Sequence, residues 1–181
     1  MNLLRLRFNY YLFAVLLLTA AGCASGPDRK SRKEESVVQL FMEAEADIGD
    51  QTAVIQVVRS VPVPVRIYKR PFLDSSELVD AAVVDVVGGF VVQLQFTAHG
   101  ALVLEQVSTA HRGSRIAVFG IFPGGRWLAA PVVANRITNG VFVFTPDATR
   151  EEAERLVRGL NNVAIRLGNK PKPGKTKGTR E

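Results

Sequence analysis

Hydrophobic and polar positions alternate along much of the chain, which is the pattern of half-buried strands. The run SVVQLFMEAEAD places Val38, Leu40 and Met42 on one face of a predicted strand. Two further runs of this kind are TAVIQVVRSV and VPVRIYK, and their prolines confine them to edges, ends or bends. ELVDAAVVDVV and GFVVQLQFTA flank Gly88-Gly89, which predicts a hairpin whose second strand has its core face at Val92, Leu94 and Phe96.

Two segments have the period of a helix instead. The first runs from about His99 to His111, and Gly113 is placed to stop it. The second is TREEAERLVRGLNN, where Thr149 and Glu152 form a capping box. Its apolar residues share one face, as in a helix packed on a sheet: Ala153, Leu156, Val157 and Leu160.

The remaining strands complete a recognisable order. RIAVFGIF and RWLAAPVV are joined through Pro123-Gly124-Gly125, NGVFVFTP follows, and NVAIRL (residues 162–167) is predicted to close the domain as a strand. This order favours a split β-α-β, ferredoxin-like arrangement. The predicted class is therefore α+β: a mainly antiparallel sheet with two helices packed on one face, over residues 73–168, preceded by extra strands in residues 37–72.

The N-terminus predicts export. A basic start (MNLLRLR), a short apolar run and the small residues Ala20-Ala21-Gly22 indicate a signal peptide over residues 1–22. Cys23 follows and is the only cysteine, so it has no internal disulfide partner. We expect it to carry the lipid of a lipoprotein; the alternative is an ordinary cleaved signal with an incidental cysteine. Ala24 favours the outer membrane by the sorting rules of Gram-negative lipoproteins. We expect the protein to lie on the periplasmic face of that membrane.

Net positive charge is concentrated at the two ends of the chain. Residues 37–168 hold twelve basic and thirteen acidic side chains, whereas residues 170–181 hold five basic and one acidic. A nearly neutral core lacks the basic stripe that phosphate contacts require, which excludes nucleic acid as the expected partner. Residues 23–36 are predicted to be a disordered tether and residues 169–181 a disordered basic tail. The alternative is that the tail touches acidic lipid head groups or cell-surface polyanions.

No pattern of catalytic residues emerges. His99 and His111 lie three helical turns apart and no further ligand is spaced for a metal site. Motifs for a nucleophile elbow, a phosphate-binding loop or a zinc protease are absent from the sequence. We therefore expect no enzyme, no cofactor and no small-molecule substrate.

A hairpin near the middle of the chain is the candidate contact surface, comprising Phe119, Phe122, Arg126 and Trp127. Exposed Trp and Arg are enriched at binding hot spots, and loops on a rigid scaffold commonly carry function. The alternative is that these aromatic residues cap the core.

Short motifs over residues 73–168 carry a resemblance to a known family. They are VVQLQFTAHG ending at Gly100; Leu104, Ser108 and Gly113; Ile116-Ala117-Val118; Ala129-Ala130-Pro131-Val132-Val133; Ile137 and Gly140; Phe144-Thr145; and Glu151-Glu152-Ala153 with Leu156 and Leu160. In this order they resemble the head subdomain of the first periplasmic domain of SecD, a protein-export membrane protein. The matched Gly100, Gly113, Ala130, Pro131 and Gly140 are positions that serve backbone geometry.

The chain also departs from that family. NNVAIRL stands where the family commonly has a final "GaLP" strand, and FPGGRW replaces a hairpin that usually holds an acidic residue. SecD crosses the membrane several times, so we expect this chain to share the domain and not the motor. The resemblance implies a membrane-anchored, non-enzymatic binding module with a protein partner, either an exported polypeptide or an envelope protein. The alternative is a structural or assembly lipoprotein of the cell envelope.

Overall fold

The computed structural model describes residues 34–57, 61–122 and 124–170. The predicted signal peptide, Cys23, the tether as far as residue 33 and the tail from residue 171 lie outside the described residues.

Within these ranges the chain forms strands joined only by antiparallel pairing, together with two α-helices. In chain order the elements are β1 (Val37–Met42), β2 (Thr52–Val57), β3 (Val63–Tyr68), β4 (Leu73–Asp74), β5 (Leu78–Val86), β6 (Gly89–Phe96), α1 (Ala98–Ala110), β7 (Ile116–Ile121), β8 (Arg126–Ala129), β9 (Val141–Phe144) and α2 (Arg150–Leu167). The strands form three sheets, in the orders β4-β1-β7-β8, β2-β3 and β5-β6-β9. The α+β class with antiparallel sheets and two helices is confirmed, but the strands do not form the one predicted split β-α-β sheet, because β6 and β7 lie in different sheets.

Both predicted helix starts have a physical cap. The Thr97 side chain accepts a hydrogen bond from the Gly100 N–H and so begins α1. Thr149 and Glu152 form the predicted capping box at the start of α2, where each side chain accepts a backbone N–H of the other residue. These bonds satisfy N–H groups that the first helical turn leaves without an internal partner.

The strand predicted over residues 162–167 is wrong, because α2 continues through it to Leu167. Val163 and Ala164 lie three and four residues after Leu160, so they extend the same buried face of the helix. The helix then ends at Gly168, whose φ of +84° is the left-handed conformation typical of a helix end. Within the described residues, α2 is therefore the last element.

The main core lies between the four-stranded sheet, the three-stranded sheet and the helices. Leu40 of β1, Leu94 of β6, Leu104 of α1 and Leu156 of α2 are all buried in it. The opposite face of the four-stranded sheet is covered by the β2–β3 hairpin, which forms a second, smaller core comprising Phe41, Val57, Val65, Ile67 and Ala117. Residues 37–72 thus supply β1, which lies between β4 and β7, and the hairpin that covers one face of that sheet.

Residues 34–36 and 169–170 contact the folded domain, although composition placed them outside it. Residues 34–36 were predicted to belong to the tether, yet Ser36 is buried and the Glu34 carboxylate accepts hydrogen bonds from Arg155 of α2. At the other end, the Asn169 amide donates to the carbonyl oxygens of Ser76 and Leu78. These partners lie 121 and about 90 residues away along the chain, so local composition carries no signal of them.

Candidate polypeptide-binding surface

Two of the four predicted contact residues pack against the second core. The Trp127 ring meets Phe41 edge-on with ring centroids 5.2 Å apart, and its centroid lies 4.9 Å from that of Phe119. Phe119 and Trp127 face each other across the β7–β8 pair, and both are only partly exposed beneath the β2–β3 hairpin. Their contacts are those of residues that join one sheet to another.

The other two contact residues attach the hairpin to α2. Phe122 is buried in the main core, and the Arg126 guanidinium lies 4.7 Å above its ring. Arg126 donates from Nη1 and Nη2 to the two carboxylate oxygens of Glu152, at 3.0 and 2.8 Å. Phe122 therefore offers no surface to a partner in this conformation, and the arrangement is that of the alternative in which the hairpin residues cap the core.

The family-matched glycines allow close approach or a left-handed backbone. A Cβ at Gly100 would lie 2.9 Å from the Phe96 Cβ, so glycine lets the start of α1 press onto β6. At Gly140, φ is +66° and a Cβ would lie 2.6 Å from the Ala101 Cβ. Gly113 has a φ of +88° in the turn after α1. All three positions serve packing or backbone conformation.

Ala130 and Pro131 directly follow β8, and both accept hydrogen bonds through their carbonyl oxygens. The Pro131 oxygen accepts the Ile116 N–H at 3.0 Å, and the Ala130 oxygen accepts a hydrogen bond from Arg115 Nη1 at 3.2 Å. A proline is tolerated here because the strand needs its acceptor and not an N–H donor.

The sheet β5-β6-β9 presents a face that the sequence analysis did not single out. Cross-strand pairing joins Ala82 to Gln93 and Gln93 to Val143, and it joins Val84 to Val91. The face also holds Val86, Gln95 and Val141. Val84, Val86 and Val143 are 37, 46 and 46% exposed, because no described element packs over them. We call these eight residues the outer face.

The outer face is almost free of charge. Asp80, paired with Gln95 at one end of the sheet, is the only charged side chain that the pairing within the described strands places there, and Lys170 binds its carboxylate. Covering exposed valines beside neutral glutamines costs little free energy, since no charge has to be desolvated. Such a surface is suited to contact with apolar and polar uncharged groups of another chain.

Charges line the border of this sheet instead. At the far end of β5, Asp85 on the opposite face binds Arg150 of α2, with Nη2 and Oδ2 3.1 Å apart. Hydrogen bonding and the positive charge of Arg150 lower the pKa of the Asp85 carboxyl below its ordinary value. Asp85 is therefore ionised at neutral pH, and this ion pair lies on the side of the sheet away from the outer face.

Within the described part of the chain, no group of three His, Cys, Asp or Glu side chains converges as a metal site would require. His99 Nδ1 lies 3.2 Å from Glu77 Oε1, and Thr97 donates to the same carboxylate. These contacts join the start of α1 to the turn before β5. They serve the fold, and His111 lies at the other end of the helix.

Neither helix of the described ranges combines the length and the apolar character needed to cross a membrane.

The fold and the surface together define an antiparallel α+β domain with one sheet face left open. The chain belongs to the SecDF P1 head subdomain family, whose sequence model matches residues 52–166.

Individual relatives are consistent with that assignment. Over 104 residues, or 57% of the chain, the sequence is 36% identical to the protein translocase subunit SecDF of Thermus thermophilus. The chain spans only 13% of the length of that relative.

Two solved SecDF structures share the fold at 22% sequence identity. One is described as a membrane component that enhances protein export; it has a TM-score of 0.52, and the match covers 74% of this chain and 65% of that one. The other is SecDF in a super-membrane-facing form, with a TM-score of 0.53 and coverage of 74 and 20%.

Proposed function

We propose that this protein is a membrane-tethered, non-enzymatic module that binds polypeptide during or after export, with the outer face as its contact surface. The observation that carries the proposal is the exposure of Val84, Val86 and Val143, beside half-buried glutamines, on a sheet face that is nearly free of charge. Unfolded polypeptide offers apolar side chains and main-chain amides, and both can be accommodated on such a face without desolvating a charge.

The family supports a role connected with protein export. A relative that carries this domain is named as a protein translocase subunit, and a structure with the same fold is described as enhancing protein export. The chain spans 13% of the length of that translocase subunit, and the proposal assigns to this domain only contact with the polypeptide.

We further propose that Cys23 carries the membrane anchor, on the periplasmic side and with the outer membrane favoured. The support is the basic, apolar and small-residue pattern before a single cysteine. An anchor of that kind keeps the domain within reach of the membrane over a span set by the roughly ten residues between Cys23 and Glu34.

Site-specific photo-crosslinking tests the proposed contact. A photoreactive phenylalanine analogue replaces Val143 on the outer face, and a matched probe replaces Leu102, which is 53% exposed on α1. In intact cells, the Val143 probe is expected to capture many different exported polypeptides, identified by mass spectrometry, at several times the yield of the Leu102 probe. Equal yields from the two positions would contradict the proposal.

A structural or assembly lipoprotein is the second candidate, and the observation that bears on it is the contact of Glu34 and Lys170 with α2. Glu34 and Lys170 both lie against neighbouring residues of α2, since Asn162 binds the Glu34 carbonyl and Asn161 binds the Lys170 ammonium. The first and last described residues are therefore both held by α2. Capture of a single envelope protein in stoichiometric yield, with release from it on deletion of residues 171–181, would favour this candidate over the first.

A further inference from the structure

The outer edge of β5 has no neighbouring strand in its sheet. The Phe96 N–H donates to the Gly140 oxygen at 3.0 Å, so Phe96, Leu94 and Val92 direct their backbone groups toward β9. By the alternation of an antiparallel ladder, the intervening residues of β6 bind β5 at Ala82, Val84 and Val86. The backbone groups of Ala81, Val83 and Asp85 consequently point outward from the edge.

The side chain of Asn161 closes the first of these outward positions. Its Oδ1 accepts the Ala81 N–H at 3.1 Å, and its Nδ2 donates to the Ala81 oxygen at 2.8 Å. These are the two hydrogen bonds that a residue of an adjacent strand would make. Asn169 continues the cover by donating to the Leu78 oxygen at 3.0 Å.

The next two outward positions are open. Among the described residues, no side chain or backbone group outside the β5–β6 ladder forms a hydrogen bond with the backbone of Val83 or of Asp85. An open cavity of about 480 Å³ lies beside them, between β5 and the exposed side of α2. Its lining residues are Val83, Arg150, Glu154, Val157, Arg158, Asn161 and Asn162.

The lining specifies which side chains would fit. Val83 and Val157 provide an apolar floor. Arg150 already binds Asp85 and Glu154, whereas Arg158 forms no salt bridge within the described residues. The charge of Arg158 acts on the Glu34 carboxylate, which Arg155 holds. Arg158 is thus the cation of this cavity that remains available to an acidic side chain.

We propose that an extended polypeptide segment adds to β5 as a fourth strand of this sheet, with its main chain bound by Val83 and Asp85. An apolar side chain of the segment faces Val157, and an acidic side chain next to it on the same face meets Arg158. The remaining side chains of the segment continue the outer face beside Val84 and Val86. This inference rests on the proposed polypeptide-binding function and names the main-chain mode by which the polypeptide is held.

The experiment measures the affinity of the full-length protein for a fluorescent nine-residue peptide with blocked ends. The peptide alternates Val and Thr and has one Glu at its centre. Asp85→Pro removes the outward N–H without touching the β6 ladder, because proline is tolerated on a free edge. Asp85→Ala is the matched control, since it also loses the Arg150 ion pair but keeps the N–H. Loss of main-chain hydrogen bonding is expected to weaken binding about five-fold or more in Asp85→Pro relative to Asp85→Ala.

Two further measurements keep the test decisive if Asp85→Pro misfolds. On the wild-type protein, peptide binding is expected to slow amide hydrogen exchange at Val83 and Asp85. Arg158→Glu is expected to reverse the preference between the Glu peptide and the same peptide with Lys. Equal affinities of the two Asp85 variants, or unchanged exchange at Val83 and Asp85 with bound peptide, would overturn strand addition while leaving the outer face as a contact surface.

Other occupants of the edge give distinct results. Without peptide, the Val83 and Asp85 amides could still be protected from hydrogen exchange. If dilution removes that protection, the edge is bound by a second copy of the chain. Protection lost on deletion of residues 171–181 would assign it to the chain's own tail. Either result contradicts the inference. Absence of peptide binding together with equal crosslinking from Val143 and Leu102 would reject the proposed function itself.

Discussion

The guanidinium of Arg126 holds both carboxylate oxygens of Glu152, at 3.0 and 2.8 Å, and so attaches β8 to the first turn of α2. Glu152 also accepts the Thr149 N–H, which makes one carboxylate part of a helix cap and of a contact between two elements. Both side chains of the ion pair are at most one-third exposed, at 21 and 33%. A charge-assisted pair in that setting is stronger than one on the open surface.

Arg126→Ala is expected to destabilise the protein by about 2 kcal/mol, because Glu152 loses two charge-assisted hydrogen bonds in a partly buried place. The matched control is Arg136→Ala, which removes an exposed ion pair with Glu105 and is expected to cost below about 1 kcal/mol. Urea unfolding monitored by circular dichroism measures both. Equal effects of the two substitutions would show that the Arg126 pair is no stronger than a surface pair.

Gly159→Ala is expected to destabilise the protein by about 1–3 kcal/mol, the range for overpacking. In an exposed helix the same change would stabilise it by up to about 1 kcal/mol. The sign is reversed here because a Cβ at Gly159 would lie 2.8 Å from the Ser36 backbone nitrogen and still closer to the Ser36 hydroxyl. Urea unfolding measures the change, and the added variant Ser36→Gly should recover part of the loss. A stabilised Gly159→Ala protein would mean that residues 34–36 do not pack on α2.

The ion pair between Glu34 and Arg155 predicts a specific pH dependence. The hydrogen bond from Arg155, and then its charge, lower the pKa of the Glu34 carboxyl below its ordinary value. A lowered folded-state pKa adds stability that is fully present above the unfolded pKa of about 4.3 and is lost as pH falls through the folded value. Glu34→Gln should therefore be less stable than wild type at pH 7, and the difference should shrink below about pH 4.

Urea midpoints at several pH values measure this difference, and Arg155→Ala provides the control. In an Arg155→Ala background, the Glu34→Gln substitution should have little effect at any pH. A difference between wild type and Glu34→Gln that grows as pH falls would contradict the assigned sign.

Cys23→Ser is expected to abolish incorporation of labelled fatty acid and to release the protein from the membrane fraction. The experiment is clean because Cys23 is the only cysteine in the sequence, so a thioether-linked lipid has no other residue to occupy. Label retained by the serine variant, or unchanged fractionation, would reject the proposed anchor.

The alternation of β6 shows what local pattern can predict. Val92, Leu94 and Phe96 were assigned to the core face, and all three are buried, because glutamines at the intervening positions fix the phase of the strand. The neighbouring β5 reads LVDAAVVDV and has few polar markers, so its pattern does not separate the buried side from the exposed one. The exposure of Val84 and Val86 follows from pairing with β6, which no local window contains.

Asn161 and Asn162 illustrate the opposite case. Next to one another they resemble a helix stop, and the β-branched residues after them favour a strand, so α2 was predicted to end too early. In the structure, their side chains bind Ala81 and Glu34, which lie 80 and 128 residues away. The burial of Phe122 likewise depends on elements distant in sequence, which is why the hairpin residues resembled a contact surface.

Binding of an unfolded polypeptide to outer-face variants tests the central claim most directly. The probe is a fluorescently labelled, reduced and carboxymethylated secretory protein, and anisotropy measures its affinity for the wild type, Val84→Glu, Val143→Glu and the control Leu102→Glu. All three substitutions place a carboxylate at an exposed apolar position, but only the first two charge the outer face. The account predicts affinity reduced about ten-fold or more by Val84→Glu and Val143→Glu and unchanged by Leu102→Glu. Equal affinity of all four proteins, with each shown to be folded, would contradict it.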